Sequence, residues 1–178
     1  MTSSRPVLLS ADEAERAGRF HFERDRERWS RAHSALRAIL ADYLQVAPLE
    51  LRFATGTHGK PYLPEHPGVE FNLSHSGDYA LIAVSRDVPV GVDIQEIRLH
   101  ADMAGLLRRL GETDLPARNA DLYSRWVRRE ARSKAAGGAL FDAPSPDIYA
   151  ADLRAPEGYA AAVALRDFAP QPVYFSSL

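Results

Sequence analysis

The chain has 178 residues, 46% of them hydrophobic, and its 22 basic and 24 acidic residues give a net charge of −2. It is long enough for one large domain or two small ones with a buried core, and this composition argues against intrinsic disorder. The near-zero charge favours neither nucleic acid nor a membrane as a partner, and the absence of cysteine excludes disulfides, thiolate metal sites and cysteine nucleophiles.

One long helix dominates the first half of the predicted structure. Residues 22–44 carry apolar side chains at helical spacing with arginines on another face, and Pro48 ends the pattern. The N-terminal apolar run is too short for a signal peptide or a membrane span, so we expect a cytoplasmic protein. Ser10 is predicted to cap a short helix. Further predictions are strands at residues 6–9 and 49–54 and a polar loop at residues 55–61.

The stretch from residue 71 to residue 96 places two polar clusters around an apolar strand. Residues 79–84 are short, apolar and bounded by turn residues, which predicts a mostly buried strand. Residues 87–89 turn the chain, and residues 90–94 are predicted to pair with that strand antiparallel. This layout predicts a site built from two groups of polar side chains, namely Asn72, Ser74, His75 and Ser76 in one and Asp93, Gln95 and Glu96 in the other.

The second half repeats the mixture of helices and strands. Helical patterns cover residues 103–110 and 119–136, and the latter ends at Gly137-Gly138. Three strands are predicted at residues 148–153, 159–165 and 173–175. Each half therefore offers one main helix and a few antiparallel strands, which is typical of an α+β fold.

The second main helix carries a possible functional stripe. Trp126, Glu130 and Lys134 are spaced by four residues, so they share a helix face with Tyr123. One interpretation is an ordinary Glu130–Lys134 ion pair beside a core tryptophan. In the other, the Glu130 carboxylate meets that of Asp93 and both bind a hard cation such as Mg²⁺, which takes few protein carboxylates.

The first polar cluster and the basic helix also allow two interpretations each. His75 is either a hydrogen-bonded structural residue or a donor to a phosphate. A Ser74–His75–Asp93 triad is disfavoured because neighbouring strand residues point to opposite faces. The arginines of the first helix, with His58 and Lys60, form either a solvated surface or a phosphate-binding group. No Walker or Rossmann glycine motif supports a standard nucleotide fold.

Four segments together resemble the 4′-phosphopantetheinyl transferase superfamily, in its larger Sfp-type class. They are Gly59-Lys60-Pro61, residues 71–76 (FNLSHS), residues 91–94 (GVDI) and residues 126–134 (WVRREARSK). The resemblance extends over roughly residues 20–140, and the segments follow the family's order. It implies two similar α+β halves in one chain, each with a small antiparallel sheet packed on a main helix. The halves would be residues 1–92 and 93–178, with coenzyme A bound between them.

The same resemblance implies an activity and its partners. The enzyme would transfer the 4′-phosphopantetheine arm of coenzyme A to a serine of an apo acyl or peptidyl carrier protein. Adenosine 3′,5′-bisphosphate would be the second product, Mg²⁺ the cofactor, and a monomer the expected state. An alternative is a non-catalytic member of the fold that binds coenzyme A or a carrier without transfer.

The resemblance also implies roles for individual residues of this chain. Asp93 and Glu130 would bind Mg²⁺, Glu130 would also deprotonate the carrier serine, and Lys134 would stabilise charge on the phosphates. Ser74, His75 and Lys60 would contact the phosphates and adenosine portion of coenzyme A. Arg24 and Arg37 resemble the basic positions that hold its 3′-phosphate.

Three departures from the family pattern stand out. Gln95 occupies a position where many relatives have glutamate, and it would bind the metal through its amide oxygen or a water. Arg129 replaces a common lysine, which keeps the charge but changes the geometry. The connection between residues 98 and 119 is compact, so the surface that meets the carrier protein is expected to differ.

Overall fold

The computed structural model of the chain describes residues 7–56, 59–99, 102–138 and 145–167. Helices and strands are mixed in these ranges, so the predicted α+β class is confirmed. The helices are α1 (Ala11–Gly18), α2 (Glu23–Leu44), α3 (Met103–Arg109) and α4 (Asn119–Ala136). The strands are β1 (Ala54–Thr55), β2 (Pro61–Tyr62), β3 (Val69–Ser76), β4 (Tyr79–Arg86), β5 (Val90–Glu96), β6 (Ile148–Asp152) and β7 (Tyr159–Arg166).

Helices α1 and α2 form where the sequence predicts them. Ser10 caps α1 through a capping box, in which its hydroxyl accepts from the Glu13 amide while the Glu13 carboxylate accepts from the Ser10 amide. Helix α2 is capped at its C-terminus by Gln45, which adopts the left-handed conformation (φ 58°). Its apolar face packs on a core that includes Leu36, Leu40 and Phe71.

The segment predicted as a strand at residues 49–54 begins in a turn at residues 49–50 and continues without regular structure at residues 51–53. Within it only Ala54 belongs to a strand, the two-residue β1, which pairs antiparallel with β2. The reason is a contact with α2. Arg37 Nη1 donates hydrogen bonds to the carbonyl oxygens of Pro48 at 2.8 Å and Leu51 at 2.9 Å. Residues 7–9 are not a strand, and the strand predicted at residues 173–175 lies outside the described residues.

The predicted pairing of β5 with β4 is wrong. Strand β4 pairs antiparallel with β3 over eight residues, whereas β5 pairs antiparallel with β7, which in turn pairs with β6. The two sheets meet through their faces, since Val90 and Val92 cluster with Leu81 and Ala83. The predicted boundary between residues 92 and 93 falls inside β5, and the division into halves stays a prediction.

Strands β3 and β5 are joined by side chains rather than by a backbone ladder. Every second residue of β3 offers a side-chain oxygen, and every second residue of β5 donates its backbone N–H. The bonds join Val92 N to Asn72 Oδ1 at 2.9 Å, Ile94 N to Ser74 Oγ at 3.3 Å and Glu96 N to Ser76 Oγ at 3.0 Å. We call this row the β3–β5 junction. It provides hydrogen-bond acceptors for backbone N–H groups on the edge of β5 that does not pair with β7. It also joins the two sheets.

Helix α4 lies directly against β5 because Gly91 has no side chain. A Cβ atom at Gly91 would come within 2.1 Å of the Ala131 carbonyl oxygen and 2.4 Å of the Ala135 nitrogen. Small buried residues on both surfaces, among them Ala131 on α4 and Ala162 on β7, extend this close contact. The helix face that carries Glu130 and Lys134 is thereby brought to β5. None of the helices in the described ranges is long and apolar enough to cross a membrane.

Candidate functional site

Asp93, Ser74 and Lys134 form a buried polar cluster where β3, β5 and α4 meet. The Ser74 hydroxyl donates to Asp93 Oδ1 at 2.7 Å, and Lys134 Nζ donates to the same oxygen at 2.6 Å. Lys134 Nζ also reaches Ser74 Oγ at 3.2 Å. Asp93 is 5% exposed and Ser74 6%, so these charge-assisted bonds lie largely out of water. Three of the residues predicted from sequence are therefore in direct contact.

Glu130 lies one turn before Lys134 on the same face of α4. Burial raises the pKa of Glu130 above its ordinary value, and the negative charge of Asp93 raises it further, while Lys134 and Arg129 oppose the shift. Lys134 is paired with Asp93, and no Glu130–Lys134 ion pair occurs among the described residues, so that local interpretation is wrong. Trp126 packs partly buried against the second-half core.

The carboxylates of Asp93 and Glu130 lie close enough to influence each other, because the charge of Asp93 raises the pKa of Glu130. Asp93 Oδ2 is buried and has no hydrogen-bond partner within the described part of the chain. The charge of Asp93 acts on Glu130, and a cation would relieve that repulsion. No group of three or more His, Asp or Glu side chains suited to a metal is found among those residues, so a cation here would need oxygen ligands from elsewhere.

Gln95 lies two residues beyond Asp93 on β5 and therefore on the same face of the strand. Its amide nitrogen donates to Ser76 Oγ at 3.3 Å. Because the nitrogen makes this bond, the amide oxygen is the atom left to bind a cation or a water.

A cavity of about 240 Å³ opens next to Lys134. Both halves of the chain line it, with Lys60, Asn72 and Leu73 on one side and Lys134, Gly137 and Gly138 on the other. Lys60 Nζ donates to the Val90 carbonyl oxygen at 3.2 Å and contacts Glu70 at 3.4 Å. Two lysines thus line the cavity, an arrangement suited to an anionic ligand.

His75 lies on the opposite face of β3 from Ser74, as expected for neighbours in a strand. Ser74 is buried and His75 is exposed, so the pair does not form a nucleophile–base arrangement. Partial desolvation lowers the pKa of His75, and the charges of His33, Lys134 and Arg28 lower it further. His75 is therefore mainly neutral at pH 7, and its surroundings favour an anion.

Arg24 and Arg37 occupy different environments although both belong to α2. Arg24 is exposed, and its charge helps to lower the pKa of Asp78, for which the hydrogen bond from Arg28 is the main cause. Arg37 is 2% exposed and donates to Glu13 at 2.6 Å as well as to two backbone carbonyls. It contacts the core of the first half rather than the cluster around Asp93.

Sequence reasoning missed the structural work of the Asn72, Ser74 and Ser76 side chains. The signal was available as three polar residues in strict alternation on one strand. It also missed the contact between Arg129 Nη1 and Glu112 at 3.4 Å, which ties α4 to the segment before it. Only the contact itself identifies Glu112 as the partner.

Sequence comparisons with known proteins agree with the family resemblance of the four segments. A family model described as 4′-phosphopantetheinyl transferase, N-terminal, matches residues 4–87. The 4′-phosphopantetheinyl transferase HetI of Nostoc sp. is 35% identical over 146 residues, which are 75% of this chain and 62% of HetI. The 4′-phosphopantetheinyl transferase Sfp of Bacillus subtilis is 27% identical over 140 residues, 75% of this chain and 62% of Sfp.

A vertebrate relative matches a shorter part. The L-aminoadipate-semialdehyde dehydrogenase-phosphopantetheinyl transferase of Xenopus laevis is 37% identical over 96 residues, 51% of this chain and 32% of that protein. The chain therefore spans less than two thirds of the length of the curated relatives it matches. An α+β fold with a buried carboxylate–lysine cluster agrees with the family match. The predicted resemblance to the 4′-phosphopantetheinyl transferase superfamily is confirmed, and the similarity lies with its Sfp-like class.

Proposed function

We propose that the chain transfers the 4′-phosphopantetheine arm of coenzyme A to a serine of an apo acyl or peptidyl carrier protein. Adenosine 3′,5′-bisphosphate is the second product, and the reaction depends on Mg²⁺. The observation that carries this proposal is the contact among Ser74, Asp93 and Lys134 from three separate segments, beside a cavity lined by two lysines. Similarity to named phosphopantetheinyl transferases supplies the reaction class.

Asp93 and Glu130 are the charged ligands for the cation, and Gln95 completes the protein contribution through its amide oxygen. The unpartnered Oδ2 of Asp93 supports this assignment. When bound, Mg²⁺ supplies charge neutralisation for the pyrophosphate oxygens of coenzyme A. Protein ligands this few leave coordination positions for those oxygens and for water.

Glu130 takes the proton of the carrier serine, directly or through a water. The serine oxygen then attacks the pyrophosphate phosphorus, and adenosine 3′,5′-bisphosphate leaves with the electron pair of the broken P–O bond. Lys134 stabilises the charge that builds up on the phosphates, since it lines the cavity. Asp93 holds Lys134 until a phosphate competes for it.

Lys60 and His75 are assigned to the phosphates and adenosine portion of coenzyme A, with Arg24 at the 3′-phosphate. The exposed position of Arg24 supports its role, because its donors are open to a ligand. Ser74 lies on β3 in contact with Asp93 and Lys134. We leave Arg37 out of the ligand site, since its guanidinium is buried against Glu13 and two carbonyl oxygens. We further propose a monomer that works in the cytoplasm.

Mass spectrometry of a carrier protein tests the proposal. The full chain is incubated with coenzyme A, Mg²⁺ and several purified apo acyl and peptidyl carriers. We expect a mass gain of one phosphopantetheine group on at least one carrier, and none when its acceptor serine is replaced by alanine. Coenzyme A binding without any mass gain across the panel would reject transfer and favour the non-catalytic alternative.

A further inference from the structure

Ser74 differs from its two partners in the β3–β5 junction by what else it contacts. All three junction side chains are at least nine-tenths buried, with Asn72 and Ser74 6% and Ser76 9% exposed. Each accepts one backbone N–H of β5. Ser74 alone among them also contacts Asp93 and Lys134 in the described structure. Its role therefore goes beyond joining two strands.

The hydrogen-bonding capacity of Ser74 is fully used. A hydroxyl has one proton to donate and two lone pairs to accept with. The proton goes to Asp93 Oδ1 at 2.7 Å, and the lone pairs accept from Ile94 N at 3.3 Å and Lys134 Nζ at 3.2 Å. Nothing is left for a ligand in this arrangement, so a direct phosphate contact would require one of these bonds to break.

These contacts fix the orientation of one carboxylate. The Ile94 amide belongs to the residue after Asp93, so it anchors the Ser74 oxygen to the same strand. Ser74 and Lys134 both bind Oδ1, and Oδ2 is left without a hydrogen bond inside the described structure. A carboxylate held in this way presents its free oxygen, here Oδ2, to a cation.

We infer that Ser74 is a positioning residue that orients Asp93 for the divalent cation. The inference rests on the proposed function for the identity of the site. Outer hydrogen bonds to a metal ligand commonly change metal affinity by roughly 10-fold to 100-fold when removed. Loss of the Ser74 hydroxyl therefore weakens cation binding even when no substrate is present.

Mn²⁺ binding to the full chain without coenzyme A tests the inference. Mn²⁺ prefers the same oxygen ligands as Mg²⁺, and water-proton relaxation measures its affinity. We expect Ser74→Ala to weaken binding by roughly 10-fold to 100-fold, and Ser74→Thr, which keeps the hydroxyl, to restore most of it. If Ser74→Ala does not fold, Ser74→Cys keeps the size with a weak donor and should show the same loss.

Asn72→Ala is the matched control. It also removes a buried junction side chain and leaves the Val92 amide without its acceptor, but Asn72 has no hydrogen bond to Asp93, Gln95 or Glu130 in the described structure. We expect the Asn72 and Ser74 alanine variants to lower the melting temperature alike, with a markedly smaller loss of Mn²⁺ affinity for Asn72→Ala. In an Asp93→Asn background, Ser74→Ala should cause no further loss, because its effect passes through the carboxylate.

The outcomes separate this inference from the proposed function. Equal Mn²⁺ affinity in wild type and Ser74→Ala, equal losses in the two alanine variants, or no Mn²⁺ binding by the wild type would overturn the positioning role. A Ser74-specific loss of Mn²⁺ affinity without phosphopantetheine transfer to any carrier would leave the positioning role standing and reject the transferase function.

Discussion

Replacing Gly91 with alanine should separate α4 from β5 and so disrupt the site without touching a functional side chain. The added Cβ would lie 2.1 Å from the Ala131 carbonyl oxygen, 2.4 Å from the Ala135 nitrogen and 3.0 Å from the Lys134 carbonyl carbon. All three atoms belong to the backbone of α4. The helix must therefore move as a body, because no side chain can rotate out of the way.

The size of the movement follows from these distances. Relaxing the nearest contact from 2.1 Å to an ordinary 3.4 Å displaces the backbone by about 1.3 Å. Overpacking of this kind costs roughly 1–3 kcal/mol, and alanine recovers roughly 0.5–1 kcal/mol of chain entropy. A net loss of about 1–2 kcal/mol should lower the melting temperature of a chain this long by roughly 2–8 °C.

Activity should fall more than stability does. Lys134 Nζ lies 2.6 Å from Asp93 Oδ1, so a displacement of about 1.3 Å takes this pair out of hydrogen-bond range. Misplacing a catalytic group by about 1 Å can cost roughly 10²-fold in rate. We therefore expect a loss of this order in kcat/KM for phosphopantetheine transfer by a variant that is still folded.

Thermal unfolding by circular dichroism and the carrier mass assay measure the two effects. Gly18→Ala is the matched control, since a Cβ at Gly18 meets nothing within 4 Å and the residue ends α1. That variant should unfold near the wild-type temperature and transfer at the wild-type rate. A Gly91→Ala protein that behaves like the Gly18 variant in both assays would refute the close-packing argument.

Three further predictions concern the cation, the base and the acid stability of the fold. Chelation of divalent cations with EDTA should abolish carrier modification and added Mg²⁺ should restore it; activity that persists after chelation would contradict the Asp93–Glu130 cation site. Glu130→Gln should lower kcat/KM by roughly 10²-fold to 10⁴-fold, because the amide cannot accept the serine proton, and full activity would reject Glu130 as the base. Burial by itself raises the pKa of Glu13, but hydrogen bonds from His33, Arg37 and Ser10 more than offset it, so the folded pKa is lowered from 4.5 to about 2. Glu13 therefore stabilises the fold fully above pH 4.5, and this contribution, about 3 kcal/mol, is lost as the pH falls towards 2. Urea unfolding at several pH values should show a smaller loss of stability on acidification for Glu13→Gln than for wild type, and identical losses would show that this carboxylate is not responsible.

Local signals in the sequence predicted the helices well. Periodic apolar residues followed by Gly137 gave the bounds of α4 without error, and the Ser10 cap gave the start of α1. Both features depend on residues within a few positions of each other, which is the range over which capping and periodicity act. Helix α2 also begins and ends within one residue of its prediction.

Contacts between distant segments were the part that the sequence could not predict from spacing. Arg37 has the same residue type and helix as Arg24, yet a buried pair with Glu13 and two carbonyls gives it a structural role. The apolar residues of β5 predicted a strand, but the short turn at residues 87–89 suggested β4 as its partner, whereas the structure pairs it with β7. Spacing offered a meeting of Asp93 and Glu130 only as one of two interpretations, and the resemblance to a known family favoured it.

Side chains from three separate segments of the chain meet at one oxygen atom of the site. Asp93 belongs to β5, Lys134 to α4, and Ser74 to β3, and a single carboxylate oxygen accepts from the last two. Gly91 sets the distance between α4 and β5, whereas the β3–β5 junction sets the distance between β3 and β5. Two independent structural features, Gly91 and the β3–β5 junction, thus determine how α4 and β3 are placed around Asp93. A change in either feature should therefore alter cation binding at Asp93, because its carboxylate contacts both β3 and α4.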